Sequence, residues 1–413
     1  MWGNGCEVGK MQRPSLAQCR GGRCCFAKHK FEQRMTTAVN DLEQLARTLI
    51  ESKRWHELFE ARLLAARHRL GLPAIDPPPL DEVPEPTRTK LERAYTDACR
   101  EVGEYLASSG HFREAWHYLR AAGQRATLQS HLATVTPNRG GGDDPDDRGN
   151  LEELIEVALY DGVDPPRGYG WVIEHFGTCN AISTLEGIAS QLPPTELIRC
   201  VSVLVGHLLD EVRTGVVNHI RQQKPDGPEP TGSLRDLLAA HHWLTEGGGV
   251  HVDASHLAAA VRFARVLTDP EDVDRALQLA EYGTGLHPDL QYPGDPPFTE
   301  TYPAHRLFFA ATLGREVEEA ITYFRERALQ SDTAHDGTGP VETLLVLLDR
   351  AGRPGEALGA YAELVPAGTL LSPYAPRLVD LAMRSGEWEQ YEQLLRERDD
   401  PVGLAVAKLA RNG

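Results

Sequence analysis

Residues 241–256 read HHWLTEGGGVHVDASH, which places four histidines and an aspartate in one short stretch. Neutral imidazoles and carboxylates are ligands of Zn²⁺ and Fe²⁺, and three or four of them around one point suffice to hold either ion. Upstream, in TELIRCVSVLVGHLLDEVRTGVVNHIRQ at 195–222, His207 and Glu211 are four apart and share one face of a helix. Antiparallel neighbouring helices would bring His242, His251 and His256 near one another. The candidate metal set is therefore His207, Glu211, His242, His251 and His256. A second chemistry centres on Cys179. In FGTCNAISTLEG, Gly177 and Thr178 lead into a helix, and a thiol at a helix N-terminus has a lowered pKa and can act as a nucleophile. His175, four residues back, is its candidate base, with Glu174 in support.

Each group also has a plain structural reading. His207 and Glu211 make a local pair on a half-exposed helix face. A lone cysteine is usually a small buried residue. LRDLLAAHHWLT at 234–245 reads as one helix that the glycines at 247–249 stop, and Asp253 is a natural cap for a helix beginning near Ala254. The chain has no His-Glu-x-x-His, no Glu-x-x-His pair of a di-metal bundle, no phosphate loop with lysine, no G-x-S-x-G elbow and no dinucleotide fingerprint.

The elements that must position these residues are helices. Leu, Ala, Glu and Arg dominate the periodic stretches, and few segments alternate apolar and polar residues, so the fold class is all-α. One local pattern recurs: SKRWHELFEARLLAA at 52–66, SGHFREAWHYLRAAG at 109–123, LGREVEEAITYF at 313–324, AGRPGEALGAYAEL at 351–364 and SGEWEQYEQLL at 385–395. Gly110, Gly314, Gly352 and Gly386 fall where one helix ends, the position for a left-handed C-cap. Ala115, Ala320 and Ala357 then let the next helix approach closely. These segments resemble the tetratricopeptide repeat, a 34-residue helix-turn-helix; Gly352 and Gly386 are 34 apart and Gly314 and Gly352 are 38 apart. The resemblance covers 311–413 and, loosely, 40–135. It implies stacked helical hairpins, an α-solenoid whose concave face binds a peptide or partner protein.

Breaks divide the chain. PAIDPPPLDEVPEPT at 73–87 cannot continue a helix, TPNRGGGDDPDDRGN at 136–150 reads as a linker, and QQKPDGPEPTGS at 222–233 is a smaller interruption. The expected organisation is a tail at 1–34, hairpins at 35–135, a linker at 136–150, a middle region at 151–310 and repeats at 311–413. The middle holds nine of the 16 histidines and two Gly/Pro-rich stretches, 161–180 and 286–306, read as loops. The tail carries four of the seven cysteines in no zinc spacing and reads as disordered, or as an extension upstream of a start at Met35.

The net charge of −17 is uneven: about +5 on residues 1–34 and about −22 on the rest. An acidic body repels a phosphate backbone, which argues against nucleic acid and for basic or amphipathic partner segments. No run of 18 apolar residues is present, so no membrane span is expected. Cys99, Cys179 and Cys200 are isolated, as reduced thiols in the cytoplasm would be. The leading expectation is a cytoplasmic scaffold or adaptor. The alternative is a metal-dependent or Cys-dependent enzyme with its site in 169–305.

Overall fold

A computed structural model of the chain describes residues 40–138, 150–246, 251–332 and 337–412, and every regular element among them is a helix. The expectations for residues 1–34, for the glycine triplet and for most of the 136–150 linker fall outside the described residues. The chain divides into two compact units between Glu153 and Leu154.

The first unit contains α1 (40–51), α2 (Trp55–Arg69), α3 (Thr87–Ser109), α4 (Phe112–Ala121) and α5 (Arg125–Leu132). From α2 onward each helix packs on the next. The proline-rich stretch between α2 and α3 is irregular apart from one 3₁₀ turn at Leu80–Glu82, because proline cannot donate the backbone hydrogen bond a helix interior needs. Gly110 caps α3 with φ +88°, and fully buried Ala115 and Leu119 bring α4 against it. Gly103 makes that approach possible: a Cβ there would lie 2.6 Å from Leu119 Cγ.

α6 (Leu151–Ile155) runs across the division and continues through a π-turn at Glu156–Tyr160 to α7 (Pro165–Ile188) and α8 (Pro194–Gln223) of the second unit. Next come α9 (Leu234–Ala240), α10 (Trp243–Glu246), α11 (Ala254–Phe263), α12 (Pro270–Thr284) and α13 (Thr301–Thr312). The last stretch holds α14 (Val317–Gln330), α15 (Gly339–Arg350), α16 (Pro354–Leu364), α17 (Leu378–Ser385), α18 (Trp388–Glu397) and α19 (Pro401–Asn412). From α11 to α19 sequential neighbours pack as successive hairpins. Gly314, Gly352 and Gly386 are all left-handed at the turns, and Ala320 and Ala357 are fully buried at the elbows. The anticipated stripe of α8 (Val201, Leu204, Val205, Leu208 and Val212) is fully buried. At roughly 2 kcal/mol for each such side chain removed from water, it anchors the unit.

Two local expectations fail. The stretch 161–180 is mostly α7 rather than a loop. Pro165 and Pro166 occupy its first turn, where the missing N–H costs nothing. Gly177, with φ +81° and ψ 170°, is non-helical and divides α7 at a kink into two helical segments, the second opening at Thr178 and Cys179 as expected. The stretch 234–245 is two helices, not one. It opens with a capping box between Ser233 and Asp236 and breaks at His241. The break sets the Trp243 indole edge-on to His219, 5.2 Å between ring centres.

Candidate functional site: a cleft lined by Cys179, His256, Arg265 and His305

Five of the seven sequence-derived candidates fall in three separate places in the second unit. At the α7 kink the Thr178 hydroxyl donates to Glu211 Oε2 at 3.1 Å. Its oxygen lies 3.1 Å from His207 Nε2, and His207 Nε2 and Glu211 Oε2 are 3.7 Å apart. The hydroxyl proton is committed to the carboxylate, so the His207 contact runs from Nε2–H to the hydroxyl oxygen. The i, i+4 pair anticipated on α8 is thus a hydrogen-bonded knot that holds the α7 kink to α8.

His251 belongs to a second cluster. Its Nε2 is 2.9 Å from His219 Nδ1, its Nδ1 is 2.9 Å from Tyr282 Oη, and its backbone N–H donates to the same oxygen at 3.0 Å. Gly215 of α8 admits the His251 backbone: a Cβ there would stand 2.7 Å from the His251 carbonyl oxygen. Burial, and then the nearby His219, hold the His251 pKa below the usual imidazole range. His242 is exposed between α9 and α10. Asp253 accepts from the Ser255 N–H at 2.8 Å and caps α11 as its position suggested. Among the described residues no three His, Cys, Asp or Glu are grouped to hold a metal ion. His207 and Glu211 meet Thr178, His251 meets His219 and Tyr282, and His256 lies elsewhere.

The third place is a cleft of about 490 Å³ between the second half of α7, α11, the 292–298 segment and the start of α13. Cys179 and His256 both line it, so two of the candidates do converge. His175, the candidate base, is on the far side of the Gly177 kink. It makes no hydrogen bond to the thiol, and its Nε2 is buried without a partner. Three further polar residues that no motif singled out also line the cleft: Arg262, Arg265 and His305. Arg262 is paired with Glu186. Arg265 is largely withdrawn from water, which pushes its pKa down to about 10, so the guanidinium remains a cation at neutral pH. His305 is 2 % exposed. Its Nδ1 lies 2.6 Å from the Thr301 carbonyl oxygen, and its ring stacks on Phe298 at 4.1 Å between centres. Burial, with Arg265 and Arg262 nearby, pushes its pKa down to about 3.

A second cleft, of about 550 Å³, shares Arg262, Arg265 and Phe298 with the first and extends to Glu342, Arg350 and Tyr374. Arg350 Nη2 donates to the Arg265 carbonyl oxygen at 3.0 Å, while its Nη1 is buried without a partner.

The three described cysteines differ in access: Cys179 is exposed, Cys99 and Cys200 are buried. Burial pushes the Cys200 pKa up to about 12. Iodoacetamide is therefore expected to alkylate Cys179 in the native protein, with Cys99 and Cys200 reacting only after denaturation; peptide mass mapping reads the difference. Early alkylation of Cys200 would contradict this packing.

No family model, curated protein or solved structure matches the chain. The fold and the cleft are its defining features: an all-α protein of packed helical hairpins whose second unit holds a cleft lined by Arg262, Arg265, Glu186 and Asp295. Among the described residues no helix is long and apolar enough to cross a membrane.

Proposed function

We propose that this protein is a cytoplasmic scaffold or adaptor of the tetratricopeptide-like kind, and that it binds a partner protein through the paired clefts of its second unit. The observation that carries the reading is the wall common to both clefts, formed by Arg262, Arg265 and Phe298. One extended segment laid across that wall enters both. The acidic body favours partners that are basic elsewhere. The segment in the clefts meets three arginines and Phe298, so it carries apolar side chains with an acidic residue among them.

Selection from a displayed library of random peptides tests this. Acidic, aromatic-containing sequences should be enriched, and their binding should fall at least tenfold in Arg265→Glu. Absence of enrichment, or binding indifferent to substitutions in either cleft, would overturn the reading. A second reading, Cys-dependent chemistry, is supported by one observation: exposed Cys179 and His256 line the same cleft. It requires alkylation of Cys179 to abolish turnover of a substrate, not merely to block binding.

A further inference from the structure

Two polar groups in the first cleft are unanswered, and they are of opposite kind. Arg265 Nε donates to the Arg262 carbonyl oxygen at 2.9 Å, and its guanidinium lies 4.9 Å from the centre of the Phe298 ring. Among the described residues its two Nη atoms have no hydrogen-bond partner, and no carboxylate stands within ion-pair distance; Asp295 attracts the charge without touching it. Three other part-buried arginines find carboxylates, whereas Arg350, beside the second cleft, also keeps one Nη without a partner. Arg62 grips Glu101 and Glu43, Arg235 grips Glu281 and Asp274, and Arg306 takes Glu316 with both Nη atoms.

His305 presents the complementary need. A carbonyl oxygen can only accept, so Nδ1 carries the proton that bonds Thr301, and Nε2 is left with a lone pair. That atom is buried and has no partner. A buried acceptor left unpaired destabilises the fold that holds it. Phe298 contacts both groups, with the imidazole stacked on it and the guanidinium over it. A donor fork with no protein partner and a buried acceptor with none therefore share one aromatic neighbour, and both residues line a cleft of about 490 Å³, a size that suits a small organic molecule.

We propose that this cleft binds a small organic acid that also carries a hydroxyl or N–H group. The carboxylate takes the Arg265 fork, the donor reaches His305 Nε2, and the carbon skeleton lies along Phe298. A purely packing role for Arg265 accounts for its contact with Phe298, but it leaves the two Nη atoms and the imidazole lone pair unexplained. A neutral alcohol would satisfy only His305, and a simple carboxylate only Arg265. Each half of the ligand thus has its own partner. The site stands apart from the partner-binding reading, because a free acid can be titrated with no protein partner present.

The test is a ligand-observed NMR titration of the full chain with a series of ω-hydroxy carboxylates of two to five carbons, their parent acids and the matching diols. At least one hydroxy acid should bind more than tenfold tighter than both its parent acid and its diol. At saturation it should slow alkylation of Cys179, which lines the same cleft. Arg265→Gln should erase the advantage over the diol, and His305→Phe the advantage over the parent acid; Arg265→Lys, which keeps the charge, should retain part of the affinity. The proposal is overturned if no hydroxy acid binds, if the hydroxyl brings no gain, or if Cys179 reacts at an unchanged rate in the saturated wild-type protein.

Discussion

Acidification from pH 7 to pH 4.5 is expected to remove about 3 kcal/mol from the stability of the second unit through His305 alone. The imidazole is 2 % exposed, is stacked on Phe298 and stays neutral in the folded state down to about pH 3. In the unfolded chain it titrates near pH 6.5. Its folded pKa is thus depressed, and below pH 6.5 the unfolded state binds the extra proton. The neutral form's contribution is complete above about pH 6.5. It is lost at roughly 1.4 kcal/mol per pH unit as the pH falls toward 3. His251 acts in the same direction, its pKa being lowered by burial and by His219. Urea unfolding of the wild type and of His305→Phe at pH 7 and pH 4.5 isolates the effect. The phenylalanine variant loses the bond to Thr301 and starts weaker, yet it should lose about 3 kcal/mol less on acidification. Parallel losses in the two proteins would remove His305 as the source.

The second large effect is steric. Gly283 on α12 faces the Tyr302 ring of α13, and a Cβ there would lie 2.2 Å from Cδ1 and 2.4 Å from Cγ. Tyr302 is fully buried, and its hydroxyl donates to the Ala254 carbonyl oxygen of α11 at 3.3 Å. The ring therefore cannot retreat without disturbing a third helix. Gly283→Ala should cost about 3 kcal/mol by overpacking, although alanine is the better helix former. Gly206→Ala in α8 is the matched control. Its Cβ would meet nothing within 4 Å, so it should gain up to about 1 kcal/mol. Thermal unfolding of the two variants should move in opposite directions; equal shifts would mean that α12 and α13 are not in this close contact.

Much of the fold is local chemistry and was readable for that reason. The glycines that end helices, the alanines that open the next ones and Asp253 at the head of α11 act on backbone within a few residues of themselves. The long helix expected at 195–222 is found at Pro194–Gln223. Where composition misled, the deciding interaction was either positional or distant. Prolines and glycines at 161–180 suggest a loop when counted, but two prolines in a first turn and one glycine at a kink are compatible with a helix. The break at His241 serves a ring contact between Trp243 and His219, which no nearest-neighbour pattern encodes.

The cleft was half legible. Cys179 and His256 stood out by residue type and local setting, and both line it. Arg265 did not, because it sits in ordinary helical sequence, and His305 was counted among the middle-region histidines without a motif to single it out. What distinguishes them is a missing partner, and that is a property of the packed interior. The histidine count was a true signal with a misleading centre. Five of the nine imidazoles of the middle region are divided among a hydrogen-bonded knot, a His–His–Tyr string and the cleft.

The wall of Arg262, Arg265 and Phe298 has a thermodynamic consequence. Those three side chains belong to both clefts, so an occupant of one sets their positions for an occupant of the other. Two ligands arranged in this way are linked. Whatever factor the first imposes on the affinity of the second, the second imposes on the first. A small acid held at Arg265 and a protein segment lying over Phe298 would therefore report on each other reciprocally, as competitor or as helper, across a boundary three side chains wide.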